Sequence, residues 1–237
     1  MRIIARLDIK TGQLIKSIRF DGTRKVGDAL KFSELYFENG IDEIFLSNIT
    51  GSLFNTKLDL DLIKNIRSKV QIPLSGGGNI RNLEDAEKII ESGCDKLVIN
   101  SLIHEDLDEF NKIVSLFGSS SIVGSIEYAK ENVYRSYYKM ARELTGYNLE
   151  DTIKKYEDIG CGEILLTEIS GDGTYCGLDE TIIPIIKKFQ KSPILLGGGF
   201  NTFDQLKNFK EVISACVVSS ALHYNKVNIK DLKKNNF

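Results

Sequence analysis

An α/β fold, a single (β/α)8 or TIM barrel built from two similar halves, is predicted by three observations on this 237-residue chain. Short apolar runs alternate with amphipathic stretches, which implies parallel strands joined by helices. The length accommodates eight such units without remainder. The second half also echoes the first. Asp42 to Gly51 (DEIFLSNITG) aligns with Gly162 to Gly171 (GEILLTEISG) at an offset of 120, and Val98 to His104 aligns with Val217 to His223 at 119. Ile4 to Asp8 aligns with Val123 to Glu127, again at 119, and Ser75-Gly76-Gly77-Gly78-Asn79 returns as Gly197-Gly198-Gly199-Phe200-Asn201. Four matched strand ends in one order predict half-barrels over about 1–119 and 120–237 of a single domain, 1–237. An open doubly wound sheet has no reason to repeat in equal halves.

In chain order, Arg2 to Asp8 is a buried strand, followed by a polar loop through Gly12, Gly22 and Gly27 that is long enough to cover a site. Ala29, Phe32, Leu35 and Tyr36 stripe the first helix, which stops at Gly40. Strand two is Glu43 to Asn48, and its helix carries Leu62, Ile63 and Ile66. Strand three, Ile72 to Ser75, leads through the glycines to a helix start at Asn82 with Asp85 three on. Strand four is Lys96 to Asn100, and its helix is marked by Leu107, Phe110, Ile113 and Val114. Ser121 to Glu127 is strand five. Ala129 to Gly146 then forms a loop or small hairpin on the same face as the first loop. A helix with Leu149, Ile153 and Tyr156 precedes strand six, Glu163 to Glu168, and the polar turn Ser170 to Thr174. Pro184 is tolerable only in the first turn of the next helix. Strand seven is Ile194 to Leu196, with Thr202 and Gln205 at capping-box spacing after it. Strand eight is Ala215 to Ser219, and a short helix through Ile229 and Leu232 ends the chain.

The apolar fraction is ordinary for a globular domain, and the net charge of −2 speaks against a dedicated nucleic-acid binder. No apolar run is long enough to span a membrane, and no signal peptide is recognisable. Cys94, Cys161, Cys176 and Cys216 show no metal-like spacing and read as free thiols in a cytoplasmic protein. No metal and no cofactor is expected.

Barrel chemistry sits at the C-terminal strand ends. Here those ends divide into two classes. Gly77, Gly78, Asn100, Ser101, Gly198, Gly199, Ser219 and Ser220 offer hydrogen bonds to phosphate, while Asp8 and Glu127 are carboxylates on opposite strands. Such a face suits a long phosphorylated ligand with an acid on each flank of its middle, the two acids serving as base and acid if their pKa values differ. The alternative is a relic symmetry with one working phosphate site. Asn48, Thr167, Asp172 and Gly173 lie at the same rim, Asp172 as catalytic or ligand-binding group or as a turn residue. Lys16, in the first loop, neutralises a phosphate or is solvated. At the opposite rim Arg2, Glu43, Lys96 and Glu163 begin four strands and can pair into a ring, either structural or a gate to a passage.

These motifs resemble the cyclase subunit family of imidazole glycerol phosphate synthase. The likeness is carried by Arg2 to Lys10, Arg24 to Asp28, Asp95-Lys96, Ile99-Asn100-Ser101, Gly162 to Thr167 and Asp172-Gly173-Thr174, and it runs nearly end to end. The resemblance implies a glutaminase docked at the barrel bottom, on a face including Asp95. Ammonia would pass the ring of Arg2, Glu43, Lys96 and Glu163 and react with a phosphoribosyl precursor that closes to an imidazole. It also implies Asp8 as base, Glu127 as acid, and Lys16, Asn100, Ser101, Thr167, Asp172, Gly173, Gly198, Gly199, Ser219 and Ser220 at ligand-side positions.

Four departures accompany the resemblance. Glu127 and Asn48 stand where the family has aspartates, Arg6 stands for a cysteine, and Asn79 stands for a phosphate-side glycine. They suggest a paralogue in which ammonia serves another acceptor, as in a family branch that makes amidino sugars for surface polysaccharides. The alternatives are the histidine-pathway enzyme itself and a non-catalytic barrel that activates the glutaminase.

Overall fold

The computed structural model describes residues 1–189 and 191–234. The elements run β1 (Arg2–Lys10), β2 (Gln13–Ile18), β3 (Asp21–Asp28), α1 (Ala29–Glu38), β4 (Glu43–Ser47), α2 (Gly51–Phe54), α3 (Leu60–Lys69), β5 (Leu74–Gly77), α4 (Leu83–Glu91), β6 (Lys96–Ile99), α5 (Leu102–Glu105) and α6 (Leu107–Phe117). The second half continues with β7 (Ile122–Lys130), β8 (Tyr134–Tyr138), β9 (Glu143–Asn148), α7 (Leu149–Asp158), β10 (Glu163–Glu168), α8 (Ile183–Ile186), β11 (Ile194–Gly197), α9 (Phe203–Phe209), β12 (Ala215–Val218), α10 (Ser220–His223) and α11 (Ile229–Lys234).

Eight parallel strands pair in the order β1, β4, β5, β6, β7, β10, β11, β12, and β12 pairs back onto β1 through Arg2 and Ala215. The predicted barrel is therefore closed. Period-two alternation sends one set of side chains outward, where they pack beneath the helices, and the other inward. The inward set is layered. Arg2, Glu43, Lys96 and Glu163 form the bottom, and Ile4, Phe45, Val98, Val123, Leu165, Leu195, Ala215 and Val217 form an apolar layer above it. Each fully buried aliphatic side chain in that layer contributes roughly 1.5–3 kcal/mol.

The helices start where the sequence offers a cap. Asp28, Asn82, Asp106 and Asn148 each accept a bond from the N–H three residues on, opening α1, α4, α6 and α7. Each such cap is worth about 1 kcal/mol. Thr202 departs from its expected role, because it makes no side-chain cap. The Gln205 side chain instead accepts from Leu178 N–H at 2.7 Å and donates to the Leu178 carbonyl at 2.9 Å. Pro184 sits in the first turn of α8, as its missing N–H requires.

Two expectations need correction. The segment after β1 is not a loop but the hairpin β2–β3, which prolongs β1 antiparallel beyond the barrel rim. Its polar composition concealed a two-stranded ribbon whose outer strand is almost wholly exposed. The excursion after β7 is likewise a hairpin, β8–β9, so both halves carry the same insertion after their first strand. Strand three also begins and ends two residues later than expected, and Gly76 and Gly77 lie inside it.

The histidines record the same symmetry. His104 bonds the Tyr156 hydroxyl at 2.9 Å, and His223 bonds the Tyr36 hydroxyl at 2.6 Å, so the short helix after the last strand of each half is fixed to the first helix of the other.

Candidate functional site

The upper rim holds a cavity in each half, and the tip of the second hairpin, at Met140, lines the first of them. Phe20, from the β2–β3 turn, and Met140, from the β8–β9 turn, are buried together with Ile15 and Ile49. Left-handed backbone at Arg19 and Phe20, and at Lys139, Met140 and Ala141, bends each tip inward over the barrel mouth. The first tip is fastened to the opposite loop by Arg19 N–H donating to the Asp172 carbonyl at 2.8 Å.

Between the cavities lies a buried charge cluster. Asp8 is fully buried. Its Oδ1 accepts from Arg6 Nε at 2.8 Å and its Oδ2 from Lys16 Nζ at 3.2 Å. Lys16 Nζ also donates to both Asp172 oxygens, at 3.0 and 2.9 Å. Burial alone would raise the Asp8 carboxyl, but the charges and hydrogen bonds of Arg6 and Lys16 outweigh it and hold its pKa below the ordinary value. Glu127 shows the opposite outcome. Burial pushes it up to about 7, only partly opposed by the Ala141 N–H at 2.6 Å and by Arg6. The two carboxyls at the ends of β1 and β7 are thus held at different protonation tendencies by their surroundings.

The first-half cavity is lined by Asn48, Gly78, Asn100, Ser101 and Glu127 among the expected residues, and by Arg6, Asn79, Arg81, Glu105 and Met140 besides. Asn48 donates to Thr56, to its carbonyl at 3.1 Å and its hydroxyl at 3.2 Å. Asn100 donates to the Ser125 carbonyl at 2.8 Å and accepts from Lys139 N–H at 3.1 Å. Arg81 reaches Asn79 Oδ1 at 2.7 Å and Glu105 at 3.3 Å. The second-half cavity gathers Thr167, Asp172, Gly173, Gly198, Gly199, Ser219 and Ser220, together with Tyr175. There the Ser220 hydroxyl is buried with no hydrogen-bond partner, an unsatisfied donor that a bound oxyanion would satisfy. The placement after strands seven and eight is that of phosphate pockets in this barrel architecture.

The glycine runs pair differently from the sequence match. Gly77 lies opposite Ser47 and Gly197 lies opposite Thr167, which makes Gly197 the mate of Gly77, Gly198 of Gly78 and Gly199 of Asn79. The run of three matches in letters at an offset one residue too long, because Gly76 faces outward against Cys94 and Ile89, a position filled by Leu196 in the second half. Gly78 and Gly198 need to be glycine. Both have positive φ, and a Cβ at either would meet the preceding loop's carbonyl at 2.4 Å, that of Asn48 or Glu168. Gly77 itself lies in β5 against Val98 and lines neither cavity.

Asp8 and Lys16 also line neither cavity. Lys16, offered from sequence as a phosphate neutraliser or a solvated charge, is buried between two carboxylates.

At the lower rim Arg2, Glu43, Lys96 and Glu163 close a ring. Arg2 Nη1 to Glu43 is 2.9 Å, Lys96 to Glu163 is 2.7 Å, Lys96 to Glu43 is 3.5 Å, and Arg2 Nη2 bonds Glu163. Asp95 is not part of it. Its carboxylate accepts from Leu74 N–H at 2.8 Å and from Arg67, tying β5 to α3.

Arg6, Arg81, Glu105, Met140 and Tyr175 are among the cavity residues that the sequence did not single out for the site. For Arg6 a signal existed, since alternation along β1 puts residues 2, 4, 6 and 8 on one face. Arg81 lies in the irregular segment before α4 and Glu105 at the end of the four-residue α5, with no such signal. Among the described residues, no group of His, Cys, Asp or Glu could hold a metal ion, and no helix is long and apolar enough to cross a membrane.

Comparison with known proteins gives a consistent result. The sequence model of a family described as "Histidine biosynthesis protein" matches residues 2–228. A protein from Sulfolobus acidocaldarius named "Imidazole glycerol phosphate synthase subunit HisF" is 35% identical over 234 residues, covering 98% of this chain and 94% of its own. Proteins of the same name from Thermococcus onnurineus and Streptococcus mutans are 34% and 31% identical, again over 98% of this chain and over 93% and 94% of theirs.

Proposed function

Because the chain belongs to the histidine-biosynthesis protein family, with HisF subunits among its relatives, we propose that it is a HisF-type synthase subunit that uses ammonia from a glutaminase partner on a phosphorylated acceptor. The proposed acceptor is not the imidazole precursor, and the preferred setting is amidino-sugar synthesis for surface polysaccharides. The observation that carries this reading is the double engagement of Asp8 by Arg6 and Lys16. A carboxylate held below its ordinary pKa by two cations is a poor proton acceptor, and imidazole closure in the family calls on a base at this position. Glu127, raised to about 7, can give or take a proton near neutrality, so acid–base work falls to it. Ammonia would enter by opening the four-charge ring and cross the layer of Ile4, Phe45 and Leu165 to reach the cleft. The apolar wall disfavours ammonium there and leaves neutral ammonia as the carried species. The second-half pocket, with the bare Ser220 hydroxyl and the glycines 198 and 199, would bind the phosphate.

A second reading, the imidazole glycerol phosphate synthase cyclase itself, is favoured by the retained Asp8, Lys16 and Asp172 and by identities of 31–35% to HisF subunits over 98% of the chain. Turnover of the imidazole precursor with ammonium salts separates the two. Turnover abolished by Asp8→Asn overturns the paralogue reading. No turnover by the folded protein, with glutamine-dependent amidation of an acetamido sugar when the glutaminase and the sugar enzyme are supplied, supports it. If that amidation is unchanged by Glu127→Gln, the barrel is a non-catalytic activator.

A further inference from the structure

Arg6 introduces a positive charge into the middle of the cleft, and its surroundings define what it can do. Its side chain is only 10% exposed, and it contributes to the walls of both cavities. Nε is committed to Asp8, and the rings of Phe20 and Phe45 lie 5.8 and 5.6 Å from the guanidinium carbon. Among the described residues, Nη1 and Nη2 have no hydrogen-bond or ion-pair partner. The neighbouring carboxylates are engaged elsewhere, Asp172 with Lys16 and Glu127 with the Ala141 N–H. Neither nitrogen is among the fully buried atoms left without a partner, so both are donors open to the cavities that Arg6 lines, where a ligand can complete them.

We propose that Arg6 binds an oxyanion of the ligand, a carboxylate or a phosphate, at the junction of the two cavities. Nη1 and Nη2 form the two-toothed edge that oxyanions take, and Asp8 positions that edge by holding Nε. The acceptor accordingly carries an acidic group that lies mid-cleft when its phosphate occupies the pocket of Ser220. Arg6 is then the specificity-determining residue of this chain, and it excludes ligands that are neutral at that point. The inference rests on the reading of the cleft as the acceptor site, but its test needs neither ammonia nor the glutaminase.

The test is a titration of the full-length protein, labelled with 15N at arginine, first with malonate and separately with inorganic phosphate. The Arg6 Nε–H resonance is expected to shift and saturate with one of them. Malonate alone identifies a carboxylate site, and phosphate alone identifies a phosphate site. Arg6→Gln weakens that probe at least tenfold and Arg6→Lys less, because the charge remains while the fork is lost. Ser220→Ala weakens phosphate in the second pocket but leaves the Arg6 response in place. If neither probe moves the Arg6 resonance, or if Arg6→Gln binds both probes as tightly as the wild type, Arg6 is a structural partner of Asp8 and the proposal fails. If Arg6→Gln does not fold, the wild-type resonance decides alone. Loss of ammonia-dependent turnover with an intact Arg6 response would refute the functional reading and leave this one standing.

Discussion

Glu127→Gln tests the electrostatics of the cleft without requiring the substrate. The folded-state pKa of Glu127 is raised from 4.5 to about 7, chiefly by burial. Below pH ~4.5 the folded and unfolded chains both hold the proton, so ionisation contributes nothing to stability. As pH rises, the unfolded chain releases its proton first, and folding becomes progressively less favourable until Glu127 ionises in the fold near 7. Above that point the deficit is constant, and 2.5 units at 1.36 kcal/mol each make it about 3 kcal/mol. Glutamine keeps an acceptor for the Ala141 N–H and cannot ionise. The stability of Glu127→Gln minus that of the wild type should therefore grow by about 3 kcal/mol between pH ~4.5 and pH ~8. The two buried histidines titrate alike in both proteins and cancel in the difference. Urea unfolding at several pH values reads the difference, which amounts to a change in midpoint separation of about 1 M at an m-value of about 3 kcal/mol/M. A difference that stays flat, or shrinks as pH rises, would show that Glu127 is ionised and well solvated in the folded protein, and the reasoning would be wrong.

Three further expectations follow from the same geometry. Asp8→Ala leaves the Arg6 guanidinium without its carboxylate partner, while Lys16 keeps Asp172, and should destabilise the fold by about 3–5 kcal/mol, read by denaturant unfolding, and a loss below about 1 kcal/mol would show the cluster to be solvated. Gly78→Ala and Gly198→Ala each force a Cβ to 2.4 Å from a carbonyl at positive φ and should cost about 3 kcal/mol or more, whereas Gly22→Ala, at a φ of +57° but in open space, should cost about 1–2 kcal/mol. Equal losses at the three sites would mean that the loops yield freely. Burial lowers His104 and His223 to about 4, so both are neutral in the fold, and their contribution to stability is lost as pH falls from 6.5 towards 4. His223→Gln should flatten the acid limb of the stability profile, and an unchanged limb would place that histidine in water.

Strand order, closure and the half-barrel echo were legible in the sequence because each rests on local signals: alternation in the strands, apolar stripes in the helices, and short polar residues that cap α1, α4, α6 and α7. The lower ring was legible too. Four charges at strand starts have inward-facing positions that alternation fixes, and opposite signs then find each other. Asp95, which the resemblance places on the partner face, precedes β6 and joins Arg67 and the Leu74 N–H, not the ring.

By itself the chain determined which residues reach the upper rim, since that depends only on register along each strand. Only the tertiary structure decided their partners. Lys16, shared with Asp8, reaches Asp172 across 156 residues, and the Phe20 and Met140 tips meet over the mouth. The glycine runs lie one residue out of their apparent match because the ladder, and not the lettering, sets depth in the barrel. The physical reason is common to all three. A strand's alternation is written in its own residues, whereas the field felt by a buried charge, and therefore its protonation, is the sum over groups that only barrel closure brings within a few ångströms.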